Sequence, residues 1–249
     1  MRFVGVDLAW SPRNTSGAVV LDWDGTTGRP RVWESALGGD AEVLSFTAQG
    51  VGEESALVAI DAPLVVPNEG GTRPCDRALS QRYRQGEAGA YPANRARLGP
   101  EVRGEILVTR LGGLGFAHTP KVRRQASTRQ VVEVYPHPGM VELFGLEKTL
   151  KYKARRDRPS AVRWEELERL KGLLASLARG EPAMEADRLL NGITVRGFRG
   201  RELKRVEDLF DALFCAHIAL HLWYWGETGY RCFGDLNTGY ILVPIQPAT

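Results

Sequence analysis

The sequence predicts an α/β fold with a five-stranded mixed sheet, and two patterns lead to this prediction. Three segments rich in β-forming residues, at 2–8, 17–23 and 31–37, follow one another across short turns, as in an antiparallel meander. A continuous apolar run at 56–61 is typical of a buried central or parallel strand, and residues 130–135 resume the strand pattern. Helical segments after the third and fifth strands are expected to flank the sheet.

The helices are predicted where apolar residues recur at helical spacing. The first is expected at 41–49, with Asp40 as its N-cap. Later helices are expected at 139–144, 161–179, 184–190 and 201–224. A last strand, at 239–243, is expected to close an edge of the sheet.

The segment between the fourth and fifth strands differs from the rest of the chain. Residues 63–125 are rich in Gly, Pro and Arg, with one short helix predicted at 76–84. Long irregular segments in a compact domain are usually functional. We therefore expect residues 1–249 to form a single domain with an Arg-rich insertion at about 65–128.

The composition is that of an ordinary globular protein, with 43% hydrophobic and 25% charged residues. No apolar run approaches the roughly 20 residues that span a bilayer, so no membrane partner is expected. The three cysteines form no CxxC pair, which indicates neither a disulfide framework nor a zinc site. These features predict a cytoplasmic protein.

Basic residues are concentrated in three segments, at 73–103, 151–163 and 196–205. Arginine offers a bidentate fork to phosphate, so the clusters suit an anionic polymer or a nucleotide. The predicted substrate-binding residues are Arg73, Arg77, Arg95, Lys151 and Lys153, with Tyr91 available for stacking on bases. The alternative is that the clusters are merely solvated helix faces.

Five acidic residues lie where an unpaired charge is costly. Asp7 ends the first strand, Asp61 ends the fourth, and Glu133 lies in the fifth. Asp208 and Asp211 are three residues apart near the start of the last helix, so they share a face of that helix. Each acid could separately cap a turn or a helix, or pair with an arginine. Their joint occurrence predicts one shared site.

Carboxylates grouped in this way suit phosphodiester hydrolysis, in which two divalent ions activate water and stabilise the leaving oxygen. Hard oxygen ligands select Mg²⁺ or Mn²⁺. We predict Asp7, Asp61, Asp208 and Asp211 as metal ligands, and these four with Glu133 as the catalytic residues.

Three antiparallel strands, a helix and then two more strands is the element order of the RNase H-like fold. The segment 208–216, DLFDALFCA, resembles the D-x-x-D-A-L-x-x-A helix of RuvC-type Holliday-junction resolvases. With GVDLAW, IDAPL, RPCDRAL and EVYPHP, it resembles a family of predicted nucleases of the RNase H fold, the domain-of-unknown-function family numbered 429. The resemblance implies that the four aspartates occupy the metal-ligand positions of RuvC-like nucleases. Asp61 departs from the resolvases, which commonly carry glutamate there.

The expected function is therefore a metal-dependent nuclease or phosphodiesterase acting on nucleic acid or a nucleotide. One alternative is a non-catalytic module of the same fold that binds nucleotides or nucleic acid. The other is an actin-like or sugar-kinase-type phosphotransferase. Those proteins place glycine after the first-strand aspartate, whereas Leu8, Ala9 and Trp10 follow Asp7 here.

Overall fold

The computed structural model describes residues 1–11 and 13–247. The chain begins with three antiparallel strands, β1 (Arg2–Asp7), β2 (Ser16–Trp23) and β3 (Thr27–Leu37). Helix α1 (Asp40–Val51) leads to β4 (Ala56–Asp61), which pairs in parallel with β1. Strand β3 begins earlier than predicted because the turn is tight: one carboxylate oxygen of Asp24 accepts hydrogen bonds from the backbone amides of Thr26 and Thr27.

The segment after β4 is more regular than predicted. It contains the helices α2 (Pro74–Arg82), α3 (Arg95–Leu98) and α4 (Arg103–Gly112), the short strand β5 (Ala117–His118) and then β6 (Arg129–Glu133). The expectation of a single helix here was wrong. Leu107 and Leu111 of α4 are buried against the sheet, but the glycines and prolines around them obscure that helical spacing.

The C-terminal part is mostly helical. Its elements are α5 (Pro136–Phe144), α6 (Ser160–Ser176), the 3₁₀ turn η1 (Leu177–Arg179), β7 (Ala183–Met184), α7 (Asp187–Leu190), α8 (Gly200–Trp225), the 3₁₀ turn η2 (Gly226–Gly229), β8 (Tyr230–Asp235) and β9 (Gly239–Pro244). The helix predicted at 184–190 is instead β7 followed by α7. No helix within the described residues is both long and apolar enough to cross a membrane.

The sheet has seven strands in the order β5-β6-β4-β1-β2-β3-β7, and helices flank it. The prediction of a mixed α/β sheet is thus confirmed, whereas the predicted number of five strands was wrong. The two additional strands, β5 and β7, have two residues each, too few to show alternation in the sequence. Strand β9 pairs with β8 in a separate hairpin, so it does not close an edge of the sheet as predicted.

The two faces of the sheet carry separate apolar cores. On one face, Phe3, Leu57 and Ala59 pack with α5, α6 and α8. On the other face, Val4 and Ile60 pack with α1 and α4. Because side chains alternate along a strand, this division fixes the face onto which every other strand residue projects.

Helix α8 lies unusually close to the sheet, and two glycines make this possible. A Cβ atom on Gly5 would lie 2.0 Å from the carbonyl oxygen of Ala212 and 2.1 Å from the amide nitrogen of Ala216. A Cβ atom on Gly17 would lie 2.3 Å from the carbonyl oxygen of Asp208. The backbone of α8 therefore rests directly on β1 and β2, with its N-terminal half beside the end of β1.

Candidate metal centre

Two of the predicted ligands are the last residues of neighbouring parallel strands. Asp7 of β1 and Asp61 of β4 are paired residues in the β-ladder. Asp7 is two residues from Gly5, and Asp61 two from Ala59, so alternation directs both side chains to the α8 face. In the sheet, β1 lies between β2 and β4, so the strand order changes direction at β1. In open α/β sheets, ligands bind outside the carboxyl ends of the strands at a switch point of this kind.

Helix α8 brings the other two aspartates to the same place. Asp208 lies against Gly17, the residue that pairs with Asp7 across β1 and β2. Asp211 is one turn further along α8, and its Oδ1 accepts a hydrogen bond of 2.5 Å from the hydroxyl of Tyr152. Both side chains are 1% exposed. The four aspartates predicted as ligands therefore converge at one end of the sheet.

The carboxylates of this cluster are incompletely partnered. The Oδ2 atoms of Asp7 and Asp208 are buried and accept no hydrogen bond. The Nζ atom of Lys153 contacts Oδ2 of Asp211 and lies 3.6 Å from Oδ2 of Asp7. Lys204 pairs with Oδ1 of Asp208. Two ammonium groups thus supply part of the positive charge that the acids need, and the Oδ2 atoms of Asp7 and Asp208 still accept no hydrogen bond.

The electrostatics reflect this crowding. Burial, followed by repulsion from Asp7, raises the pKa of Asp61 well above its usual value. The same two causes raise the pKa of Asp208 to about 8. Burial lowers the pKa of Lys153, but the carboxylates of Asp211 and Asp7 more than offset this and hold its pKa well above the usual value. A bound cation would favour the ionised form of both acids.

Glu133 is not part of this cluster, although it ends the neighbouring strand β6. It pairs with Ile60 in the ladder and therefore projects onto the other face of the sheet. Its carboxylate accepts hydrogen bonds from both terminal nitrogens of Arg73, at 2.6 and 3.1 Å, and from the amide of Leu64 at 2.7 Å. The same guanidinium binds Asp76 through two further contacts, at 2.8 and 3.2 Å. Glu133 thus belongs to a closed ion-pair network.

Within the described ranges, no group of three or more His, Cys, Asp or Glu side chains is arranged to hold a metal ion. Lys153 instead lies against both Asp7 and Asp211. The donor set nevertheless fits Mg²⁺ or Mn²⁺, since it consists of carboxylate oxygens and includes two buried atoms with no donor.

A cleft begins beside Asp61. Its walls include Trp10, Tyr91 and Tyr135, and it adjoins a second cavity of about 290 Å³ that shares Tyr91 and Tyr135. The second cavity is basic, with Lys151, Lys153, Arg155 and Arg158 among its lining residues. The cleft beside Asp61 and the basic cavity therefore lie next to each other and share aromatic walls.

The predicted substrate-binding residues divide into two groups. Tyr91, Lys151 and Lys153 line the basic cavity. The other three do not line it. Arg73, 2% exposed inside its ion-pair network, lines the cleft beside Asp61 instead. Arg77 lies on the exposed face of α2, and Arg95 pairs with Glu105 at 3.0 Å. Basic character alone does not distinguish the two groups.

Several residues of the cleft were not singled out from the sequence. Trp10 follows Asp7 in the GVDLAW motif, and Tyr135 and His137 belong to EVYPHP. Burial, followed by the positive charge of Lys153, lowers the pKa of His137 to about 3, so its imidazole is neutral. Its Nδ1 atom lies 3.0 Å from the hydroxyl of Thr149. The sequence signal that could have identified these residues is their closeness to the strand-end acids Asp7 and Glu133.

The sequence profile of a family described as "Protein of unknown function (DUF429)" matches residues 5–238. The chain belongs to this family. The predicted membership of the family numbered 429 is thereby confirmed, and the matched range includes all four aspartates as well as Trp10 and Lys153. No curated protein and no solved structure matches the chain.

Proposed function

We propose that this member of DUF429 is a metal-dependent nuclease of the RNase H-like fold that hydrolyses phosphodiester bonds in nucleic acid. The observation that carries the proposal is the pair of buried oxygens, Oδ2 of Asp7 and Oδ2 of Asp208, that accept no hydrogen bond. Buried polar atoms nearly always form hydrogen bonds, so two buried carboxylate oxygens without one, at the carboxyl end of the sheet, support a positive ligand there in addition to Lys153 and Lys204.

The arrangement of the strands supports the assignment to the RNase H-like fold. The meander β1-β2-β3 is followed by α1 and then by β4 and β6, which extend the sheet in parallel on the other side of β1. This is the element order that suggested the fold from the sequence. On this proposal the segment between β4 and β6 is an insertion in a single domain.

Asp7, Asp61, Asp208 and Asp211 would hold the metal. When bound, Mg²⁺ or Mn²⁺ would activate the attacking water and stabilise the charge on the leaving oxygen. The chain itself orients the ligands. The hydroxyl of Tyr152 fixes one oxygen of Asp211, and the register of β1 and β4 places Asp7 beside Asp61. Since Glu133 is already satisfied by Arg73, we assign it to the structure around the site.

Lys153 has a second role in this proposal. Its side chain is 31% exposed, lies at the edge of the acid cluster and lines the basic cavity. It remains protonated near neutral pH because Asp211 and Asp7 keep its pKa high. An ammonium in that position can bind a non-bridging phosphate oxygen next to the reacting bond.

A phosphotransferase is disfavoured by the residues after each strand-end acid. Asp7 is followed by Leu8, which is 1% exposed, and Asp61 is followed by Ala62 and Pro63. Neither segment is a glycine-rich loop whose amides could hold a phosphate. A non-catalytic binding module has the same features as the nuclease, so activity must separate these two.

The test is hydrolysis of single-stranded and duplex DNA and RNA and of nucleotides, each with Mg²⁺ or Mn²⁺. We expect cleavage by the wild type and by Asp187→Asn, an exposed aspartate on α7 that serves as the control. Asp7→Asn should lose about 100-fold or more, because even residues that only orient ligands cost about 10–100-fold. Calorimetry with Mn²⁺ should show binding that Asp7→Asn abolishes. Nucleic-acid binding without cleavage would favour the non-catalytic module. Equal Mn²⁺ binding by the wild type and by Asp7→Asn would show that Asp7 is not a metal ligand.

A further inference from the structure

We propose that the cleft beside the acid cluster binds an unpaired single strand, with bases against Trp10 and Tyr91 and backbone phosphates against Arg155 and Arg158. This inference rests on the proposed function, from which it takes the kind of polymer, a nucleic acid. It goes further because it names the strandedness of the substrate and four residues that hold it.

The aromatic part of the cleft is exposed and held in place. Trp10 is 40% exposed and Tyr91 is 60% exposed, and both line the cavity that contains Asp61. The backbone before Trp10 is fixed at Ala9, whose amide donates to the hydroxyl of Ser16 at 3.1 Å and whose carbonyl accepts from Arg103 at 2.8 Å. An exposed aromatic ring whose preceding backbone is held in place offers a flat surface on which a base can stack.

The basic part of the cleft contains two arginines that are available to bind phosphate. Lys151 pairs with Glu87 at 2.7 Å, and in the metal-free protein Lys153 contacts Asp211 and lies 3.6 Å from Asp7. By contrast, neither Arg155 nor Arg158 forms an ion pair with a carboxylate in the part of the chain that the structure describes. Burial, followed by the positive charges of Arg155 and Arg163, lowers the pKa of Arg158. Phosphate oxygens would relieve this repulsion and accept bidentate hydrogen bonds.

The shared walls of the two adjacent cavities determine how a strand would lie in this proposal. Tyr91 and Tyr135 line both, and Arg155 donates to the hydroxyl of Tyr91 at 3.5 Å. A backbone held by Arg155 and Arg158 therefore passes the aromatic rings before it reaches Asp61. In a duplex the base faces are covered by their neighbours, whereas an unpaired base offers its face to Trp10 or Tyr91.

The experiment measures binding without cleavage. Metal-free wild-type protein in EDTA is titrated into fluorescently labelled single strands, blunt duplexes of the same sequence and a mononucleotide. We expect the single strand to bind at least about 10-fold more tightly than the duplex, and Trp10→Ala and Tyr91→Ala each to weaken single-strand binding about 10-fold. Trp10→Phe, which keeps a ring, should bind like the wild type. Leu236→Ala, which alters a residue that is 42% exposed on the β8–β9 turn, is the control and should also bind like the wild type.

The phosphate contacts are tested by salt. The logarithm of the single-strand affinity should fall with the logarithm of salt concentration, and Arg155→Ala and Arg158→Ala should each reduce that slope by about 0.7. Arg179→Ala, at an exposed arginine in η1, should leave the slope unchanged. Slopes equal to the wild-type slope would overturn the arginine assignment.

Two results would overturn the inference as a whole. One is a duplex or a mononucleotide that binds as tightly as the single strand. The other is an affinity of Trp10→Ala and Tyr91→Ala equal to that of Leu236→Ala. The inference and the proposed function can fail separately. Selective single-strand binding without metal-dependent cleavage would reject only the nuclease, and cleavage unaffected by the aromatic variants would reject only the stacking site.

Discussion

Two clusters of buried carboxylates lie near the same end of the sheet, but they differ in how their oxygens are partnered. In the network of Glu133 and Asp76, the single guanidinium of Arg73 binds all four carboxylate oxygens. In the aspartate cluster, Oδ2 of Asp7 and Oδ2 of Asp208 accept no hydrogen bond.

If the proposed function holds, this difference separates a structural role for the first cluster from a ligand-binding role for the second. A buried ion pair whose hydrogen bonds are complete holds its surroundings in place and has no capacity left for a ligand. A buried carboxylate oxygen without a donor is costly, and such atoms are concentrated where a ligand completes the set. Each cluster combines a strand-end acid with an acid from a helix, so residue type alone could not tell them apart.

The largest expected effect tests the closed network. Arg73→Met would leave Glu133 and Asp76 buried without their cation, and should lower the free energy of unfolding by about 3–5 kcal/mol. Chemical denaturation measures this. Arg95→Met is the control in the same segment. Its ion pair with Glu105 is about one-quarter to one-third exposed, so the change should cost no more than about 1 kcal/mol. Similar losses in both variants would show that the Arg73 network is not special.

The second effect tests the open cluster. Mn²⁺ at 100 times its dissociation constant should stabilise the wild-type protein by about 2.7 kcal/mol, through binding only to the folded state. Asp211→Asn should lose this gain. Because the substitution also removes the carboxylate that Lys153 contacts, each protein is compared with itself, with and without Mn²⁺. Melting curves with and without Mn²⁺ provide the measurement.

Glu133→Gln sharpens the same comparison. It should melt at a lower temperature because it weakens the Arg73 network, yet it should keep the full Mn²⁺-induced rise. If Mn²⁺ raises the melting temperature of Asp211→Asn as much as that of the wild type, Asp211 is not a ligand. If Mn²⁺ no longer raises the melting temperature of Glu133→Gln, Glu133 belongs to the metal site.

The division between the clusters was partly readable from the sequence. The strand ends at Asp7 and Asp61 and the acids near the start of the last helix were identified from apolar runs and spacing, and the structure brings these four residues together. The role of Glu133 depends on a register that no single strand reveals. Glu133 pairs with Ile60, whose neighbour Asp61 projects to the opposite face. Only the ladder between β4 and β6 shows this.

The segment between β4 and β6 was the hardest part to predict, for a physical reason. Arg73 and Arg77 are four residues apart in one arginine-rich run, yet one is buried and the other exposed. The burial of Arg73 depends on Glu133, which is 60 residues away in the sequence. Likewise Trp10 and Tyr91 meet in one cleft only after folding. Long-range pairing of this kind leaves no local periodicity.

The third effect concerns pH and the metal-free protein. The pKa of Asp208 is raised to about 8 when the protein is folded, so between about pH 4 and pH 8 the folded state holds a proton that the unfolded state has lost. The free energy of unfolding should therefore fall as the pH rises through this window, by up to about 1.4 kcal/mol per pH unit. Asp208→Asn should flatten that slope.

The control is an aspartate with the opposite shift. Hydrogen bonds from Thr238 lower the pKa of Asp235, which is therefore ionised in both states above about pH 5. Asp235→Asn should leave the slope between pH 5 and pH 8 as it is in the wild type. Denaturation at several pH values in EDTA measures all three proteins. A wild-type slope retained in Asp208→Asn would mean that Asp208 is ionised in the folded protein throughout this range.

The smallest expected effect concerns Lys153, which contacts Asp211 and lies 3.6 Å from Asp7. Its ammonium and a divalent cation would compete for the same oxygens, so Lys153→Met should bind Mn²⁺ several-fold more tightly. The gain should stay below about 10-fold, because the side chain is 31% exposed and water screens part of its attraction to the acids. Lys151→Met removes the same charge from the same cavity, but Lys151 pairs with Glu87, so its Mn²⁺ affinity should equal that of the wild type. Calorimetry with Mn²⁺ compares the three proteins, and an equal gain in both variants would point to the net charge of the cavity rather than to competition at Asp7 and Asp211.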